Sequence, residues 1–169
     1  LGVGNDSLTF AGLASDVPVW GSATTETQTI AFGSGADIAT FTGSFGRGSI
    51  AFGSGADSIG VSGALAGTTL TGLNEADTIK FLGNTTVVFG GAIGSTAQVS
   101  FGTGNDMATF NGAVSAATIY GGAGNDSLVF SATVSAATVI GGAGNDTINF
   151  VTNALNSVVS LGVGNDSLT

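Results

Sequence analysis

The sequence predicts an all-β protein, a parallel two-sheet β-solenoid with about twenty residues in each coil. Three observations carry that expectation. Near-copies of one phrase close on Asp106, Asp126, Asp146 and Asp166 at twenty-residue intervals, the fullest being GGAGNDSLVF at 121–130 and GGAGNDTINF at 141–150. A fixed period of this kind marks stacked copies of one supersecondary unit. Thirty glycines and a single proline accompany no 3.6-residue apolar stripe, while the short runs SLVF, ATVI, TINF and TVVF carry strand-type residues.

The strands follow from a half-period of about ten. Bulky apolar residues close short segments at Phe10, Trp20, Ile30, Phe41, Ile50, Val61, Leu70, Phe81, Phe89, Phe101, Phe110, Tyr120, Phe130, Ile140, Phe150 and Leu161. A strand of about four residues therefore alternates with a turn of about six. Side chains alternate along each strand, so Leu128 and Phe130 point one way and Ser127 and Val129 the other. Lys80, between Ile79 and Phe81, takes the outward parity. Phe110, Phe130 and Phe150 are expected in one buried column, with Tyr120 and Ile140 facing them from the other sheet. Two strands per coil divide the 160-residue repeat into eight coils, which a coil of about thirty residues would not. At ~4.8 Å per coil the unit would be about 38 Å long. Pro18 and Trp20, in VPVW, mark an irregular strand or a contact surface.

Leu1–Thr9 (LGVGNDSLT) returns letter for letter as Leu161–Thr169. Residues 1–160 thus read as one solenoid unit and 161–169 as the start of the next, a segment of a longer tandem array. No initiator Met or charged-then-apolar leader is present, so a targeting signal is expected outside this stretch. Eleven acids face only Arg47 and Lys80, for a net charge of −9. Nucleic acid is then a poor partner, because phosphate contacts need clustered Lys and Arg. No apolar run has the length of a membrane span. Cysteine is absent, so disulfides contribute nothing; that is compatible with secretion without fixing it.

The phrase GGAGND followed by a short apolar strand resembles the calcium-binding nonapeptide repeat of RTX proteins, G-G-x-G-x-D-x-U-x. The resemblance implies a right-handed parallel β-roll, calcium between successive loops, and secretion from a Gram-negative cell. The chain departs from it in using ten residues per half-turn and in placing Leu1, Phe32, Phe52, Phe101 and Leu161 where the first glycine stands. Those departures resemble the repeats of bacterial surface-layer proteins more than those of toxins.

The acids argue for calcium on their own chemistry. Ca²⁺ takes six to eight oxygen ligands, and a glycine-rich turn exposes carbonyls while an aspartate adds charge. Stacked aspartates would lie ~5 Å apart and repel by about 0.8 kcal/mol in water, more at a protein surface. Several ions between them would relieve this, and folding is expected to require metal. The candidate ligands are Asp6, Asp16, Glu26, Asp37, Asp57, Asp77, Asp106, Asp126, Asp146 and Asp166. With them go the turn glycines Gly2, Gly4, Gly33, Gly35, Gly53, Gly55, Gly102, Gly104, Gly122, Gly124, Gly142, Gly144, Gly162 and Gly164. A single Gly-Asn-Asp turn would be ordinary turn chemistry; repetition in register is what points to metal.

The half-period count places Asp106, Asp126, Asp146 and Asp166 on one edge, with Asp6 and Glu26, and Asp16, Asp37, Asp57 and Asp77 on the other. Their counterpart turns NGAVSA, SATVSA and VTNALN carry no acid. The ladder is thus expected to change edge twice, across the 31- and 29-residue gaps before Asp37 and Asp106. The competing reading makes 11–30 and 82–96 bulged loops and leaves every aspartate on one edge. Arg47, at the next acid position beyond Glu26, reads as a cation ending the ladder or as a solvated loop residue. GLNEAD at 72–77, with Leu73 and Glu75 in place of glycines, reads as a degraded terminal site.

Catalysis is not expected: there is no His or Cys, and Glu75 is the one acid off the ladder, so no nucleophile–base pair assembles. A phosphate loop is not expected either, as no GK[ST] follows the glycines. The Asn-x-Ser/Thr triplets at Asn5, Asn84, Asn125, Asn145 and Asn165 mostly fall out of the repeat. The leading expectation is a secreted, calcium-dependent structural solenoid of a bacterial surface layer or extracellular filament. Its partners would be copies of itself, with cell-surface polysaccharide a further candidate. The alternative is a calcium-triggered secretion and folding module of a larger effector such as a toxin, adhesin or hydrolase. An ice-binding solenoid is a third class, but its Thr-x-Thr array appears only at Thr27–Thr29 and Thr69–Thr71.

Overall fold

The computed structural model describes residues 7–10, 28–42, 45–62, 65–94 and 96–169. Among them the chain forms strands and turns without a helix, and every strand pair is parallel. With strands numbered in chain order, one sheet stacks β1 (Ser7–Phe10), β3 (Ile38–Phe41), β5 (Ser58–Val61), β7 (Thr78–Phe81), β9 (Gln98–Ser100), β12 (Thr118–Ala123), β15 (Thr138–Ala143) and β18 (Val158–Val163). The second stacks β2 (Gln28–Ala31), β4 (Phe45–Ala51), β6 (Leu65–Thr71), β8 (Thr86–Phe89), β10 (Met107–Phe110), β13 (Ser127–Phe130), β16 (Thr147–Phe150) and β19 (Ser167–Leu168). Strands alternate between the sheets as the chain advances, which is a β-solenoid. Partners such as Phe110, Phe130 and Phe150 stand twenty residues apart.

The core lies between the sheets. Phe41, Phe81, Phe89, Phe101, Phe110 and Phe130 are fully buried. Phe110, Phe130 and Phe150 form one column, with ring centroids 4.5 and 4.9 Å apart and planes within 14° of parallel. Stacking identical side chains in register buries each ring against the ring above and below, and a second inward residue of each strand, such as Leu128 beside Phe130, fills the space between the columns.

The other side of that column differs from expectation. Ile119 and Val139 face inward, fully buried, while Tyr120 is 40 % exposed and points out. The inward parity runs through Ala117, Ile119 and Gly121, all buried. A search for bulky closing residues cannot see an inward glycine and so selects its neighbour. In the same region the coil gains a third side. β11 (Val114–Ser115), β14 (Val134–Ser135) and β17 (Ala154–Leu155) make a narrow parallel sheet, yet the coil keeps twenty residues because these strands have only two.

β8 belongs to the second sheet, between β6 and β10. Residues 82–96 therefore are a half-turn of the solenoid and not a bulged loop. The first gap behaves otherwise. β1 pairs directly with β3, Phe10 against Phe41, so only one described strand, β2, separates them instead of two. The ladder's first change of edge, expected between Asp6 and Asp37, falls on turns outside the described residues. The VPVW segment and Asp16 and Glu26 lie outside the described residues.

Candidate metal centre

The turn at 121–126 shows how the phrase builds a site. β12 runs on to Ala123, Gly122 and Gly124 take φ of 110° and 130°, and Asp126 then turns its side chain inward before β13. A Cβ on Gly124 would fall on the Gly104 carbonyl oxygen of the preceding coil. Backbone stacks on backbone here, leaving no room for a side chain. A Cβ on Gly121 would meet the Gly141 carbonyl oxygen and come within 3.0 Å of Asp126 Oδ2. At Gly141 the corresponding distance, to Asp146 Oδ2, is 2.8 Å. The first glycine of the phrase thus makes the space that the carboxylate of its own turn occupies. Gly121 and Gly141 escaped the sequence reading, although the doubled glycine was the visible signal.

The aspartates form two columns of buried carboxylates. Asp106 N–H donates to Asp126 Oδ1, Asp126 N–H to Asp146 Oδ1 and Asp146 N–H to Asp166 Oδ1, each at 2.9 Å. The other column repeats this, Asp37 N–H donating to Asp57 Oδ1 and Asp57 N–H to Asp77 Oδ1, also at 2.9 Å. Each carboxylate therefore spends one oxygen on the backbone of the coil before it, a charge-assisted bond that fixes its direction. The second oxygen of Asp57, Asp106, Asp126 and Asp146 is buried with no hydrogen-bond partner. A buried carboxylate oxygen in that condition costs several kilocalories per mole in a metal-free protein, and a group so placed calls for a cation or a proton.

Burial raises the proton affinity accordingly. It pushes Asp106 and Asp126 up to about 6 from an ordinary 3.8, against the lowering effect of the backbone bonds they accept. Asp57 and Asp77 are raised by the same burial, with neighbouring carboxylates adding to it.

Strand register places the columns on opposite edges. Asp37, Asp57 and Asp77 precede β3, β5 and β7 on the turns entering the first sheet; Asp106, Asp126, Asp146 and Asp166 precede β10, β13, β16 and β19 on those entering the second. Asp6, Gly2 and Gly4 lie outside the described residues. Glu75 is exposed and gives its N–H to Asp77 Oδ2 at 3.4 Å. Leu73 is fully buried and bridges to Ile93, which bridges to Val114. GLNEAD is thus where an acidic turn becomes an apolar corner. Arg47 lies within β4, and the register aligns Phe45 and Leu65 with the acid position instead; the Arg47 side chain is outside the described part.

Beside the second column runs an exposed ladder of asparagines. Asn125 N–H donates to Asn105 Oδ1, Asn145 to Asn125 and Asn165 to Asn145, each at 2.8 Å. Adjacent amides thus look to opposite neighbours, asparagine backward and aspartate forward. The triplets that begin on these asparagines are a by-product of that ladder.

The residues present fit a hard divalent cation. No group of three or more His, Cys, Asp or Glu side chains converges among the described residues. An ion between two turns would draw on one spare carboxylate oxygen from each and on main-chain carbonyls, a donor set of oxygens alone that suits calcium. Among the described residues no helix is long and apolar enough to cross a membrane. Comparison with protein-family profiles, curated proteins and solved structures finds no match.

Proposed function

We propose that this chain is a calcium-stiffened structural β-solenoid, part of a bacterial surface layer or extracellular filament, and not an enzyme. One observation carries the calcium reading: carboxylates stacked coil on coil, buried, each with one oxygen committed to the backbone and, at Asp57, Asp106, Asp126 and Asp146, the other unsatisfied. Without cations such a column opposes its own folding by desolvation and mutual repulsion. The resemblance of GGAGND to RTX repeats supports the same ion. Calcium binding then adds directly to folding free energy, because the site does not exist in the unfolded chain.

The structural role rests on copying. The return of Leu1–Thr9 as Leu161–Thr169 suits a material assembled from repeats of itself. Secretion to the cell surface follows from this reading, as does assembly with copies of itself or cell-surface polysaccharide.

Excess chelator should abolish the β-sheet circular dichroism of the chain, and Ca²⁺ but not Mg²⁺ should restore it. Electron microscopy of the calcium-loaded protein should show filaments or sheets. A spectrum unchanged after exhaustive chelation rejects the calcium reading, and a calcium-loaded protein that stays monomeric at all concentrations rejects assembly of this chain with itself.

A further inference from the structure

The two carboxylate columns do not overlap. Register through Thr78, Gln98, Thr118 and Thr138 shows that Asp77 is followed on its edge by Ala97, Ala117 and Ala137, all buried. Register through Thr86, Met107 and Ser127 shows that Asp106 is preceded on its edge by Thr85. Thr85 closes that column as a neutral cap. Its N–H donates to Asp106 Oδ1 at 2.6 Å, and its hydroxyl donates to the Gly83 carbonyl at 2.9 Å. The coil between Asp77 and Asp106 therefore holds Thr85 at one acid position and Ala97 at the other, and no carboxylate on either edge.

Two phenylalanine stacks meet at the same place. Phe81 and Phe101 lie on the first sheet's side of the core, and Phe89, Phe110, Phe130 and Phe150 on the second's. At this coil Phe81 stacks on Phe101 at 5.0 Å and Phe89 on Phe110 at 4.6 Å. Phe89 meets Phe101 edge-on, centroids 6.5 Å apart and planes at 84°. Four rings thus join two stacks across the core where the acids are missing.

We propose that calcium loads as two independent columns, Asp37–Asp77 and Asp106–Asp166, separated by a metal-free aromatic joint around Phe81, Phe89, Phe101 and Phe110. The inference rests on the calcium reading above. Within a column, neighbouring carboxylates share a backbone bond and would share an ion, so their sites are coupled. Between columns, a strand of four residues sets the edges about 13 Å apart, too far for carboxylates of the two columns to share an ion. The intervening coil carries no charge at either acid position through which one column's occupancy could reach the other.

The test is hydrogen exchange of the whole chain across a calcium titration, with bound ions counted by native mass spectrometry. Asp126→Asn should raise the calcium midpoint for protection of amides in 107–168 by about tenfold while the midpoint for 38–81 stays put. Asp57→Asn should do the reverse, and each variant should lose ions only from its own column. If 107–168 of Asp126→Asn fails to order at any calcium concentration, 38–81 must still gain protection at the wild-type midpoint. A shift of both segments together in either variant overturns the independence of the columns while leaving calcium binding intact. A wild-type chain that binds no calcium at all overturns the reading of the ladder itself.

Discussion

At the scale of single residues the decisive feature is the inward aspartate. Its raised proton affinity fixes the sign of a pH effect. The folded chain holds a proton on Asp106 and Asp126 up to about 6, the unfolded chain only to about 3.8. Protonation therefore favours the fold below 3.8, and this contribution fades as pH rises through 6. Metal-free protein, unfolded at pH 7.5, should accordingly regain β-sheet circular dichroism towards pH 4.5, and saturating calcium should reverse the order. Equal metal-free spectra at the two pH values would show that the buried carboxylates are not what limits the fold. The glycines give a second, local test. Gly124→Ala forces a Cβ onto the Gly104 carbonyl at a φ of 130° and should cost at least about 2 kcal/mol. Gly60→Ala, on the outer side of β5 with nothing within 4 Å of the added methyl, should be neutral or stabilise by about 0.5 kcal/mol. Urea melts of the two calcium-loaded variants decide it, and equal losses would mean the turns do not stack as closely as the structure has them.

At the scale of elements, each strand contributes one or two inward residues, and the register makes those residues a column. Phe110 sits between Phe89 and Phe130, with ring centroids 4.6 and 4.5 Å away. Phe110→Ala should therefore cost about 3–5 kcal/mol and open a cavity that its neighbours cannot fill. Tyr120→Ala removes an aromatic of similar size from the outer side of β12 and should cost less than about 1 kcal/mol, because the ring is 40 % exposed. Comparable losses would return Tyr120 to the core, where the half-period count had put it. That count finds strand existence well, since Phe41, Val61, Phe81 and Phe101 announce themselves by bulk. It fails where an inward position is glycine, because periodicity of side chains carries no signal where there is no side chain.

At the scale of the whole molecule the solenoid is a sum of coil-to-coil contacts, and each coil has neighbours only above and below. Removal of calcium should then expand the molecule as well as melt its sheets. Small-angle scattering should show a larger radius of gyration in chelator than in calcium, and a compact chelated particle would count against metal-dependent order. The sequence alone determined the all-β class, the twenty-residue coil, the phenylalanine column and the acids at one repeated turn position, because each is written as a period along the chain. It also determined that Asp77 and Asp106 stand on opposite edges, since an odd number of half-turns separates them. Only the tertiary structure decided the pairing of β1 with β3, the narrow third sheet, the parity of Tyr120, and the roles of Thr85 and Gly121. Those depend on which backbone groups a neighbouring coil presents, twenty residues away in sequence and in direct contact in space. The periods of a single chain do not encode that contact; hydrogen bonding and steric exclusion between coils do.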